Sequence, residues 1–357
     1  MGQVRRTSMT ELRIGGKTIG PDYPTFIVAE ISGNHLHDFD NAVKLVKVAK
    51  EAGADAVKLQ TYTPDSLTID CDNDYFRIRH GEFVQYSTFY ELYAQAYTPW
   101  DWQPTLQAIA EEEGLVCFSS PFDREAVDFL ESMDVPAYKI ASFEITDIPL
   151  IEYIASKGKP VLISTGIASW EDMEEAVATC RKVGNHQIVL LKCTSAYPAP
   201  YEEMNLRAID RLSQLDVIAG LSDHTLGIEV PIAAVALGAR VIEKHITLDR
   251  ALGGPDASFS LEPLEFKAMV NAVRNVEAAL GSGTLELSDR MLQKRKVARS
   301  LFVVQDLKHG DVLTEANVRS IRPGYGLHPR HLKDVLGRRI RRDVPRGTPL
   351  TWDLLDD

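Results

Sequence analysis

Eight short apolar runs alternate with amphipathic helical stretches along most of this chain, and that alternation restricts the fold more than anything else in the sequence. The runs are TFIVAE (25–30), DAVKLQ (55–60), LVCFSS (115–120), AYKIAS (137–142), PVLIST (160–165), IVLLKCT (188–194), VIAGLS (217–222) and RVIEKH (240–245). They are almost continuously apolar, the pattern of strands covered on both faces in a parallel sheet. Helical stretches lie between them at 41–51, 104–113, 124–132, 149–157, 169–183 and 228–237. Several stop at glycine signals, as at Gly53 and Gly238, and Ser169 with Asp172 reads as a capping box. Eight strand–helix units in about 260 residues predict a closed (β/α)8 TIM barrel, an α/β fold, rather than an open nucleotide-binding sheet. No GxGxxG follows any of the runs.

The flanks divide the chain further. Residues 1–20 read as an extension with a small hairpin over Glu11–Ile19, turning at Gly15-Gly16. The barrel is expected over 21–281, then a linker with a helix over 282–298, then a small β-rich domain over 299–357. One βα connection is abnormally long. Thr61 to Pro104 is rich in aromatic residues, which argues against disorder, and it follows the second strand. It is expected to roof the mouth of the barrel and to set substrate choice.

Composition excludes several classes. No stretch approaches the roughly 20 apolar residues of a membrane helix. The N-terminus has basic residues but no apolar run after them, and Arg6 breaks the myristoylation pattern. A cytoplasmic protein is therefore expected. The four cysteines, Cys71, Cys117, Cys180 and Cys193, have no CxxC spacing and read as free thiols. The net charge is −12, yet residues 290–346 hold 15 Lys/Arg against 5 Asp/Glu, or +10, leaving −22 for the rest. An acidic body and a basic tail are expected to attract one another, within or between chains. The basic tail lacks the aromatic or zinc-finger patterns of nucleic-acid binding, so no nucleic-acid partner is expected.

The chemistry of a TIM barrel sits at the C-terminal ends of its strands. Those ends carry Glu30; Lys58 and Gln60; Ser119 and Ser120; Lys139 and Ser142, with Glu144 beyond; Ser164 and Thr165; Lys192, Thr194, Ser195 and Tyr197; Ser222, Asp223 and His224; and Glu243, Lys244 and His245. Residues two apart share a face, which pairs Lys58 with Gln60, Ser222 with His224, and Glu243 with His245. Inward lysines are costly unless an anion or a carboxylate meets them. Two lysines and a set of serine hydroxyls form a receptor for a small substrate bearing phosphate and carboxylate. His224 and His245 on adjacent strands could share a divalent metal or serve as hydrogen-bonding groups. Schiff-base chemistry at Lys58 or Lys139 stays open on spacing alone.

At these positions the sequence resembles the sialic acid synthase family. The resemblance runs through AEISGNH (29–35), KLQTY (58–62), SSPFD (119–123), YKIASFE (138–144), PVLISTG (160–166), CTSAYP (193–198), GLSDHT (220–225), EKHIT (243–247) and GGPDASFSLEP (253–263), in order. RPGYGLHP (322–329) resembles that family's antifreeze-like (SAF) domain. ELYAQAYTPWDW (91–102) and LLKCTSAYPA (190–199) resemble the branch that makes pseudaminic acid, with N-acetylneuraminate and legionaminate synthases, and a non-catalytic sugar-binding protein, as the alternatives.

The resemblance implies a TIM barrel with a SAF domain and a reaction between phosphoenolpyruvate and an open-chain amino-sugar. It implies that Lys58, Ser120, Lys139, Ser142, Ser164, Ser195 and Ser222 hold phosphoenolpyruvate. His224 and His245 would hold a divalent metal, Mn2+ or Mg2+, and Glu30, Gln60, Tyr197 and Asp256 would stand near the metal and sugar. Glu30 and Asp256 are the acid/base candidates. Phe259 falls at a matching apolar position that plain packing explains as well. The resemblance also implies a homodimer in which the SAF domain of one chain caps the other's barrel and Arg322 reaches the sugar.

Overall fold

A computed structural model describes residues 11–79, 81 and 83–356. The expectations for the first ten residues, part of the extension, lie outside them. The chain divides into two compact units between Gly281 and Ser282.

In the first unit, strands β1 (Leu12–Ile14) and β2 (Lys17–Ile19) form the expected hairpin, pairing antiparallel. Eight parallel strands then close a barrel. They are β3 (Phe26–Glu30), β4 (Ala56–Thr61), β5 (Val116–Pro121), β6 (Tyr138–Ile140), β7 (Val161–Ser164), β8 (Ile188–Lys192), β9 (Ile218–Asp223) and β10 (Val241–His245). They run in sequence order around the barrel, with β10 closing on β3. Each falls within one of the eight apolar runs or oversteps it by a single residue. The helices between them begin and end where local chemistry dictates. Asp38 caps Phe39–Ala52 by accepting from the Asn41 amide, and Gly53 stops that helix at φ 92°, where a side chain would be strained. The Ser169–Asp172 capping box forms on Trp170–Lys182.

Burial on both faces explains the apolar runs. One cluster packs strand residues such as Ile27, Val57, Ile163 and Leu221 against the helices. A second fills the barrel interior, where Phe26, Val28, Phe118, Leu162, Val189 and Val241 meet Leu12, Ile14 and Ile19 of the hairpin. The hairpin is thus a plug in the barrel core. Full burial of Ile14 or Ile19 is worth roughly 1.5–3 kcal/mol each.

The long connection contains two short helices, Pro64–Leu67 and Phe89–Ala96, each capped by a threonine. Trp100 Nε1 donates to the Tyr62 carbonyl at 3.1 Å, and Thr98 Oγ1 lies 3.0 Å from the buried His35 ring, which fastens the returning end of the loop.

The second unit holds a helix at Asp289–Arg295 and an antiparallel pair, β11 (Ser300–Val303) with β12 (Val318–Ile321). Leu301, Val303, Leu313, Val318, Ile340, Val344 and Leu350 form its core. Isolated bridges such as Leu307–Val344 and Ile340–Leu355 tie its irregular backbone together.

Candidate active site

Parallel pairing sets the strand ends at one level. His245 is opposite Glu30, Glu30 opposite Lys58, and Gln60 opposite Ser120. Inward residues from β3, β4, β6, β7, β9 and β10 therefore converge on one cavity of about 540 Å3. Glu30, Lys58, Gln60, Lys139, Ser142, Ser164, Ser195, Tyr197, Ser222, His224, His245 and Asp256 all line it. Ser120 does not. It is buried behind the lysine, where its Oγ accepts from Lys58 Nζ at 3.3 Å, so its direct contact is to Lys58. Arg322 belongs to the second unit, exposed just beyond β12.

The inward lysines meet carboxylates of the protein itself. Lys58 Nζ lies 3.0 Å from Glu30 Oε2 and 3.1 Å from Glu243 Oε1, and Lys139 Nζ lies 3.7 Å from Glu243 Oε1. Ser222 Oγ donates to Glu243 Oε1 at 3.1 Å. Two positive and two negative charges thus share one water-poor site, and the four groups titrate differently. Burial pushes the Glu30 carboxyl up to about 7, against the pull of Lys58 and with help from the like charge of Glu243. For Glu243 burial also pushes upward, but Lys139 and Lys58 outweigh it and hold the group down at about 2. Lys139 is brought below the ordinary lysine value by burial. Two carboxylates in one cluster are therefore pushed apart in proton affinity, which is how a site separates a proton carrier from a fixed charge. Glu243 joins the site as a residue that spacing marks only through its place two before His245, on the same face.

On the other side of the cavity, Gln60 Nε2 donates to Glu30 Oε1 at 2.9 Å and to Ser32 Oγ at 3.0 Å, and Ser32 donates to Asp256. This chain links the two acid/base candidates. Asp256 is raised from its ordinary value by burial, with the Ser32 hydrogen bond opposing.

His224 and His245 stand with ring centroids 5.2 Å apart. His224 Nδ1 lies 3.1 Å from the Thr194 carbonyl. Donation there fixes the tautomer of the neutral ring, with Nε2 as its unprotonated nitrogen. Against burial, the Cys193 thiol, 3.8 Å from Nδ1, raises the imidazole above its ordinary value. His245 is held well below its ordinary value by burial and by His224, so it stays neutral, and its Nδ1 is buried without a hydrogen-bond partner. Phe259 packs against both rings, at centroid distances of 5.8 and 5.0 Å, and against Tyr197 at 5.3 Å. Ser164 Oγ, Glu144 Oε2 and Glu243 Oε2 are likewise buried without hydrogen-bond partners, all in residues lining this cavity. Unsatisfied buried polar atoms gathered around one cavity mark a place built for a polar ligand. Glu144, just beyond the end of β6, is a further acid of this cavity. Burial raises it to about 7.

The roof comes from the long connection, as its length and aromatic content predicted. Leu67, Phe83, Phe89, Leu92 and Tyr93 line the cavity, and Tyr62 packs edge-on against both Tyr93 and Phe122. The cavity is thus charged at its floor and apolar at its roof.

Comparison with known proteins places the chain in a family. The NeuB family model matches residues 45–285 and the SAF domain model residues 298–356. A pseudaminic acid synthase of Campylobacter jejuni is 46% identical over 330 residues, covering 92% of this chain and 96% of the relative. A pseudaminic acid synthase of Helicobacter pylori is 44% identical over 332 residues, covering 92% and 97%. Among solved structures, an N-acetylneuraminic acid synthetase of Leptospira borgpetersenii superposes with a TM-score of 0.72 at 33% identity, covering 80% of this chain and 95% of that one. The chain, a closed β/α barrel followed by a SAF domain, belongs to the NeuB family.

Proposed function

We propose that this protein is a pseudaminic acid synthase, which condenses phosphoenolpyruvate with 2,4-diacetamido-2,4,6-trideoxy-L-altrose and releases phosphate. The observation that carries the reading is the cavity itself. Lys58, Lys139 and the serines Ser142, Ser164, Ser195 and Ser222 offer cationic and hydroxyl donors to a phosphate and a carboxylate, under a roof of aromatic rings suited to a sugar with a methyl group and two acetamido groups. Relatives at 44–47% identity bear that name.

In this reading C3 of phosphoenolpyruvate bonds to the sugar aldehyde carbon, and the aldehyde oxygen takes a proton. Positive charge develops at C2 and water adds there. The tetrahedral carbon then expels phosphate with its bridging oxygen. Lys58 and Lys139 hold the anionic groups in place, and Glu243 keeps the lysines charged. Glu30, poised near neutrality, takes the proton from the attacking water. Asp256, linked to Glu30 through Ser32 and Gln60, orients the sugar hydroxyls. The neutral His245 with its unpaired Nδ1, and His224 with its fixed tautomer, fit a divalent metal such as Mn2+ or Mg2+. These two imidazoles are the residues that would hold it, and among the described residues no cluster of three or more His, Cys, Asp or Glu has metal-ligand geometry. Bound there, such a metal supplies Lewis-acid polarisation of a substrate oxygen.

A shared site goes with this reading. Phe143, Ile167, Tyr201, Leu226 and Leu252, one from each loop after β6 to β10, are exposed large apolar residues at the barrel mouth. They suit a covering surface, and the +10 and −22 charge split favours a basic one. We assign that role to the SAF domain of a second copy, with Arg322 of the partner subunit reaching the sugar. No helix among the described residues is long and apolar enough to cross a membrane, and Cys71, Cys117, Cys180 and Cys193 are free, which suits a cytoplasmic setting.

The test is phosphate release from phosphoenolpyruvate with the diacetamido sugar against N-acetylmannosamine. Preference for the diacetamido sugar is expected. Preference for N-acetylmannosamine overturns the substrate and keeps the reaction. No phosphate release with either sugar, or with the legionaminic precursor, overturns the reaction. Label in the bridging oxygen of phosphoenolpyruvate should leave with phosphate, and its retention in the sugar would sink C–O cleavage.

A further inference from the structure

Asp223 and Lys244 lie opposite one another on β9 and β10 and take no part in the cavity. Ser222, His224, Glu243 and His245, which alternate with them, line it, so the pair faces the other side of the sheet. Both side chains are fully buried, with Lys244 Nζ 2.5 Å from Asp223 Oδ2. Lys244 also donates to the carbonyl of Thr225. Asp223 Oδ1 accepts from the Thr225 amide and Oδ2 from the Thr225 hydroxyl, each at 3.0 Å. The knot therefore brackets His224 on both sides, through Asp223 before it and Thr225 after it, and ties that segment to the residue preceding His245.

Stability does not explain such a pair. Removing two ions from water costs several kcal/mol each, and an apolar pair of similar volume often does as well or better. Directionality is what an apolar pair lacks. Four hydrogen bonds at fixed angles, two of them from Lys244 across to the β9 segment, set the register of β9 on β10 and the path of the chain just after His224, where an apolar contact would leave both free to slide by fractions of an ångström. We propose that Asp223 and Lys244 form a positioning clamp whose task is to hold the imidazoles of His224 and His245 at the spacing and tilt that divalent-metal binding requires. The proposal rests on the reading of those histidines as metal ligands.

The experiment uses the full-length protein, with Mn2+ as the probe and electron paramagnetic resonance of free Mn2+ as the measure of affinity. The variant is the apolar double replacement, Asp223→Leu with Lys244→Met, and Asp223→Asn is made beside it as a near-isosteric change in case the double variant does not fold. A folded variant should bind Mn2+ roughly 10- to 100-fold more weakly, the range that outer-shell partners of metal ligands command. A merely structural pair would lower the melting temperature and leave Mn2+ affinity alone. Unchanged affinity in a folded variant overturns the clamp. If the wild-type protein binds no Mn2+, the metal reading fails on its own account. The clamp is then judged from 15N-histidine spectra of the metal-free proteins. It predicts displaced His224 and His245 signals in Asp223→Asn, and superimposable signals would refute it.

Discussion

Gly166 follows Ser164 and Thr165 at the end of β7, and its amide donates to Ser142 Oγ at 3.1 Å. A Cβ added there would lie 2.1 Å from Ser195 Oγ and 2.7 Å from Ser142 Oγ. Ordinary contact is about 3.5 Å, so both hydroxyls would have to turn away. The backbone of Gly166 lies outside the left-handed region, so alanine's conformation is allowed, and its Cβ, 3.1 Å from Ser142 Cβ, asks for a shift of a few tenths of an ångström. The cost to the fold is that of moving two short side chains off their preferred rotamers, of order 0.5–1.5 kcal/mol each. The cost to function is larger, because both hydroxyls line the cavity. A hydrogen bond to a charged ligand is worth about 1.5–3 kcal/mol. At 1.36 kcal/mol per factor of ten, losing one such contact lowers kcat/KM by roughly 10- to 150-fold, and losing both by on the order of 1000-fold. The assay is continuous phosphate release at varied phosphoenolpyruvate, with the melting temperature read on the same sample. Gly166→Ala with kcat/KM within about threefold of wild type would show that neither serine serves the substrate anion, and the assignment of the serines would fall.

Other consequences follow from the same geometry. Glu243→Gln removes the carboxylate that Lys58 and Lys139 share and leaves Lys58 paired with Glu30. It should cost about 3–5 kcal/mol, partly regained in saturating phosphate. An unchanged melting temperature would count against the charge cluster. With Glu30 near 7 and acting as a base, kcat/KM should rise with pH through neutrality, and Glu30→Gln should remove both the rate and that limb. Glu144, also near 7, is separated by Glu144→Gln, which should keep the limb. The sign for stability is opposite: a carboxyl raised from 4.5 to about 7 holds its proton in the folded state, so its contribution is lost as pH rises across that window, and Glu30→Gln should flatten that slope in urea unfolding. Ile14→Ala, in the plug, should cost about 2–4 kcal/mol in urea unfolding and leave KM unchanged; equal loss of activity in the folded variant would tie the plug to the site.

Sequence alone went far because parallel strands buried on both faces leave a legible mark. Near-continuous apolar runs such as VLIS and IVLL cannot be hidden in any other sheet. Glycine stops and the Ser169 cap are local, so they too were readable. The strand-end rule then named most of the cavity. Ser120 shows its limit. It is opposite Gln60 in register, yet its hydroxyl accepts from Lys58 and it does not line the cavity, and that depends on side-chain reach rather than spacing.

Glu243 shows the same limit from the other side. Spacing put it at a strand end on the face of His245, and only the closed barrel, which brings β10 against β3 and aims Lys58 and Lys139 inward, makes it the counter-ion of two lysines. Composition and periodicity determined the barrel, the hairpin before it and the strand ends where chemistry would gather, because burial acts residue by residue along the chain; that the hairpin plugs the barrel came from tertiary packing. Which charges pair, which serines line the cavity and which atoms are left without a partner were decided by tertiary structure, because those depend on distances of a few ångströms between residues far apart in sequence.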